Sequence, residues 1–70
     1  MTARRLVLAG TFPDVGRVRV TYSGELGEYC VRLVAPDGQL VAEYFTDDRA
    51  DALGTADALM RERGASLGIT

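Results

Sequence analysis

Seventy residues, 47% of them hydrophobic and 26% charged, make one folded domain near the size limit for a single core, because so short a chain buries only about 60% of its unfolded surface. A formal net charge of −2, with arginine as the sole basic residue type, neither demands nor excludes nucleic acid; the arginine bias reflects either genome composition or a surface selected for bidentate contacts. With no histidine and one cysteine, Cys30, the chain lacks a disulfide framework, a multi-cysteine metal site and an imidazole to activate a thiol. We therefore expect no enzyme activity, no cofactor and no metal. The longest apolar run, Leu6 to Ala9, is far too short for a membrane span, and no leader-length apolar segment follows Arg4 and Arg5; a cytoplasmic domain without membrane contact is expected.

In chain order, residues 1–16 read as a short N-terminal strand and loop. Leu6-Val7-Leu8-Ala9 is an edge-strand candidate of ambiguous period, and Gly10, Pro13 and Gly16 punctuate the loop after it. Residues 17–46 read as an antiparallel meander. Arg17-Val18-Arg19-Val20-Thr21-Tyr22 alternates with the two-residue period of a half-buried strand, with Val18, Val20 and Tyr22 toward the core. After a loop from Ser23 to Gly27, Glu28 to Ala35 sets Tyr29, Val31, Leu33 and Ala35 on one face and Glu28, Cys30, Arg32 and Val34 on the other. Pro36-Asp37-Gly38 is a turn signal with a mechanism in each residue, so the flanking strands should form a hairpin. Gln39 to Phe45 carries large apolar side chains on both faces, which predicts a bulge or a partly covered second face.

Residues 47–64 read as a helix from about Asp48 to Arg63. Thr46-Asp47-Asp48 supplies capping oxygens, Arg61 and Arg63 complement the dipole at its end, and Gly64 stops it. Ala52, Leu53, Ala56, Leu59 and Met60 make the stripe that packs on the sheet. The tail, residues 65–70, is expected to fray. The fold class is α+β: a three- or four-stranded antiparallel sheet with one C-terminal helix on one face.

Three surfaces remain for function. Ala50, Gly54 and Ala58, four apart, form a smooth ridge beside Asp51 along one helix flank, and a mid-helix glycine costs about 1 kcal/mol against alanine. Either a partner approaches there, or Gly54 fits against the protein's own sheet or is simply tolerated. Asp47, Asp48, Asp51, Asp57 and Glu62 address a basic partner or serve as caps and solvated charges. Arg17, Arg19 and Arg32 project from the sheet face opposite the helix, with Glu28 and Glu43 among them. Cys30 points to that same face, as a reactive thiol or a plain, partly buried one.

The strand-PDG-strand-helix rhythm from Tyr29 to Met60 resembles the arm-binding domain of tyrosine integrases and the plant AP2 domain, which lay such a sheet into the DNA major groove. Those families carry excess positive charge, which this chain lacks. Gly27-Glu28-Tyr29 through Pro36-Asp37-Gly38 to Glu43-Tyr44-Phe45-Thr46-Asp47-Asp48, then Asp51-Ala52-Leu53, looks like small uncharacterised proteins of prophages and integrative elements. In size and build alone the chain is similar to anti-CRISPR proteins, compact and non-enzymatic, which cover nucleic-acid-binding or nuclease surfaces on a host complex. The expectation is a protein-binding module that docks through the helix flank (Ala50, Asp51, Gly54, Ala58) or the sheet face, with inhibition of a host nucleic-acid-handling complex as its narrower form. Two alternatives stand beside it: a DNA-binding accessory using Arg17, Arg19 and Arg32, and a homodimer paired through an open strand edge.

Overall fold

A computed structural model describes residues 4–65. Four strands, β1 (Arg4–Phe12), β2 (Gly16–Ser23), β3 (Glu28–Val34) and β4 (Leu40–Thr46), precede one helix, α1 (Arg49–Arg61). The strands form a single antiparallel sheet in the order β1-β2-β3-β4. α1 packs across β2, β3 and β4 on one face. The sheet is four-stranded, and the expected segment Leu6 to Ala9 is the middle of its first strand.

β1 pairs with β2 from Arg4 to Phe12, beyond the expected segment at both ends, and its register shifts between Leu6 and Leu8. The extra residue, Val7, and its neighbour Leu8 both pack against the core, so two adjacent apolar residues serve one face and the two-residue period is lost. β4 shifts too: Leu33 pairs with Ala42 but Val34 with Leu40, so Val41 is the extra residue, whereas Tyr44 and Phe45 lie on opposite faces by regular alternation. Pro36-Asp37-Gly38 turns as expected: Gly38 has φ +94°, and Asp37 Oδ1 accepts from the Gln39 N–H at 3.0 Å.

Asp48 caps α1, its Oδ1 accepting from the Ala50 and Asp51 N–H groups at 2.9 and 3.4 Å. The helix stops two residues before the expected end. Gly64, at φ +81°, donates to Arg61 O while Ala65 donates to Met60 O, the closure that uses the last free carbonyls. Of the tail, only Ala65 lies within the described residues.

The core is small. Val18, Val20, Val31 and Leu33 from the sheet meet Ala52, Ala56 and Met60 from α1, all buried. The two alanines let the helix backbone come close to the valines, and Leu53 and Leu59 flank the contact. Gly16 starts β2 where no other residue fits: its φ is +126°, and a Cβ there would lie 2.1 Å from Val34 O.

Candidate docking surface on the uncovered sheet face

The register sorts the uncovered face into rows that cross the strands. Arg4, Ser23 and Glu28 form the first, and Leu6, Thr21, Cys30 and Phe45 the second. Ala9, Arg19, Arg32 and Glu43 form the third, and Thr11, Arg17, Val34 and Leu40 the fourth. Arg17, Arg19 and Arg32 thus share the face expected of them, because Val18, Val20, Val31 and Leu33, which alternate with them, are buried beneath α1.

Ion pairing divides these cations. Arg4 Nη2 lies 3.2 Å from Glu28 Oε1, and Arg32 Nε lies 2.5 Å from Glu43 Oε2. Arg17 and Arg19 have no acidic partner among the described residues. Four arginines against two glutamates leave this face net positive on a chain whose formal charge is −2. Arg19 also stands directly opposite Arg32, an arrangement that like charges disfavour.

Beside the arginines lies an apolar row. Leu6 and Phe45 are both exposed, and together with Arg4, Arg19, Thr21, Cys30 and Arg32 they line a depression of ≈ 540 Å³. Cys30 forms its floor and is buried. Burial pushes its thiol pKa up, the Glu43 carboxylate adds to that, and Arg32 opposes it; the thiol stays protonated near neutral pH. Of the two readings of Cys30, the structure supports the plain buried one, although its side chain does belong to the uncovered face.

The helix flank is a different surface. Ala50, Gly54 and Ala58 are exposed, and a Cβ at Gly54 would meet nothing within 4 Å, so the ridge faces outward and Gly54 is not packed against the protein's own sheet. Asp51 does not stand free beside it: its Oδ2 accepts from the Tyr44 hydroxyl at 2.6 Å and ties α1 to β4. Most of the helix carboxylates have similar internal uses. Asp48 caps, Asp57 pairs with Arg61 at 2.8 Å, and Glu62 lies 3.9 Å from Arg63.

Sequence reasoning did not group Arg4, Leu6 and Phe45 with the central arginines. Arg4 and Leu6 lie in a strand whose bulge hides its facing, and Phe45 reaches the row only through the β3–β4 register. No helix among the described residues is long and apolar enough to cross a membrane. No protein-family model, curated protein or solved structure matches the chain.

Proposed function

We propose that this chain is a non-enzymatic binding module that docks on another protein through the uncovered face of its sheet. The observation that carries the reading is the pair Arg17 and Arg19, without an acidic partner among the described residues, beside exposed Leu6 and Phe45. Arginine and aromatic residues next to apolar surface are what protein interfaces concentrate at their centres. The partner surface that fits is acidic with an apolar centre: carboxylates there compensate Arg17 and Arg19, and an apolar side chain covers the Leu6–Phe45 row.

Magnitude favours protein over nucleic acid. With Arg17 and Arg19 the unneutralised arginines of this face among the described residues, phosphate binding there yields a log–log salt slope of about −2, well short of stable non-specific duplex binding. The helix ridge, made of Ala50, Gly54 and Ala58, offers little apolar area to bury. In its narrower form the proposal is a mobile-element inhibitor or adaptor that covers part of a host nucleic-acid-handling complex.

The test is affinity capture from nuclease-treated bacterial lysate with the wild type, Arg19→Glu and Gly54→Arg, each first shown to be folded by circular dichroism. We expect one protein complex to be recovered by the wild type and Gly54→Arg and lost with Arg19→Glu. Loss with Gly54→Arg alone would move the interface to the helix flank. Steeply salt-dependent retention of duplex DNA would replace the protein reading with a nucleic-acid one.

A further inference from the structure

On the helix side of the sheet, next to the start of α1, one row of the register runs Arg5, Tyr22, Tyr29 and Thr46 across all four strands. It shares that side with Val20 and Val31 by the two-residue alternation of β2 and β3. The rings of Tyr22 and Tyr29 lie with their centroids 4.6 Å apart, tilted by 44°, and both residues are half-buried. With Leu6 and Val7, which are consecutive at the register shift of β1, and with Arg5 and Arg49 they line a cleft of ≈ 400 Å³. Small-molecule sites span roughly 300–1,000 Å³, so the cleft has room for a ligand of modest size. Its charge is one-sided. Arg5 and Arg49 are exposed, neither has an acidic partner among the described residues, and no carboxylate lines the cleft. Asp48 and Asp51, which flank Arg49 in sequence, are engaged by helix amides and by the Tyr44 hydroxyl.

We propose that this cleft binds a nucleoside monophosphate unit, its base stacked on the Tyr22–Tyr29 pair and its phosphate held by the guanidinium groups of Arg5 and Arg49. The lining sets two demands at once. Phenol rings that present a face to a cleft favour a planar π-system. Two guanidinium groups without a counter-charge favour a dianion with several acceptor oxygens, because each fork can make two parallel hydrogen bonds. Inorganic phosphate meets only the second demand and a bare nucleoside only the first. An aromatic carboxylate meets the first but brings a single negative charge to two cations. A nucleoside phosphate meets both in one molecule. The cleft lies on the opposite side of the sheet from Arg17 and Arg19, so its test stands apart from that of the docking surface.

The experiment is an NMR titration of the ¹⁵N-labelled full chain with AMP, adenosine, inorganic phosphate and benzoate, for the wild type, Arg5→Gln, Arg49→Gln, Tyr22→Leu and, as a control on the other face, Arg17→Gln. Folding of each variant is checked by circular dichroism, and the exposed arginine positions carry the test if Tyr22→Leu does not fold. AMP should shift the amides of Arg5, Tyr22, Tyr29 and Arg49 saturably, with adenosine, phosphate and benzoate each bound about tenfold or more weakly. Each of Arg5→Gln and Arg49→Gln should weaken AMP about tenfold and leave adenosine unchanged. Tyr22→Leu should weaken AMP and adenosine alike, and Arg17→Gln should alter neither. A short single-stranded oligodeoxyadenylate with a 5′-phosphate separates the two sources of such a unit: shifts of the same amides assign it to a nucleic-acid strand, and their absence assigns it to the free nucleotide. No saturable shift with millimolar AMP, phosphate or benzoate bound as tightly as AMP, or shifts centred on Arg17 and Arg19 would each overturn the proposal.

Discussion

Val18 and Val20 are fully buried while Arg17 and Arg19, one residue away on the same strand, are exposed. β2 thus has two sides of opposite character. The covered face holds the fold with few atoms: four sheet residues, two alanines and Met60. The uncovered face holds no helix, and instead of the polar surface usual for a one-sided sheet it carries apposed arginines beside an exposed apolar row. Substitutions on the first should therefore unfold the chain, and substitutions on the second should leave it folded and, under the proposed function, change what it binds.

Gly16→Ala tests the first half of that division with the largest effect. The added Cβ would lie 2.1 Å from a backbone oxygen that cannot swing aside, at a φ of +126° that side chains disfavour. We expect a loss of about 3 kcal/mol or more in urea denaturation, a large share of what a small domain has. A loss below about 1 kcal/mol would show that the start of β2 is free to move away from Val34, and the covered face would then not be fixed by its tight backbone packing.

Tyr44→Phe should have a smaller effect of a different kind. It removes the hydroxyl that donates to Asp51 and leaves the apolar ring in place, so the urea midpoint should fall modestly while the sheet survives. Asp51→Asn should lower it too, and the double substitution should lose less than the two singles together, because both break one contact. Full additivity would mean that the two side chains act separately and that the helix is held to β4 by its apolar stripe alone.

How far the sequence reveals these two faces depends on whether the period survives. In β2 the alternation is unbroken, and Val18, Val20, Arg17 and Arg19 can be placed without a structure. In β1 the bulge at Val7 sets two neighbouring residues on one face, and the pattern that would have put Leu6 beside Cys30 is erased. Asp51 reads as a first-turn acid suited to the helix dipole, but its tie to Tyr44 spans a strand end and a turn that no spacing rule reports. Gly16 looks like loop punctuation in the sequence, whereas its cause is the carbonyl of Val34, brought alongside by a different hairpin. Gly54 by itself decides nothing between inward and outward; the helix phase does, and the stripe of Ala52, Ala56 and Met60 that sets it is legible in the sequence.

The smallest effect concerns a residue that, like Ser23, blurs the comparison. Cys30 lies on the uncovered face and is nonetheless buried, with its thiol pKa raised above 9.0 by that burial first and by Glu43 second. In the unfolded chain neither influence acts. Below the unfolded value the thiol is protonated in both states and its contribution to stability is fully present. As pH rises through that value toward the higher folded one, the unfolded chain releases its proton first and stability declines. Tyr44, whose pKa is raised mainly by its hydrogen bond to Asp51, adds a decline of the same sign, so the Cys30 share has to be read as the difference from Cys30→Ala. The urea midpoint of the wild type should fall more steeply between neutral and strongly alkaline pH than that of Cys30→Ala, and alkylation of the folded chain by iodoacetamide at neutral pH should be slower than that of the unfolded chain. Equal pH slopes together with fast alkylation would mean that the Leu6–Phe45 row leaves the thiol open to water, and the uncovered face would then be exposed throughout.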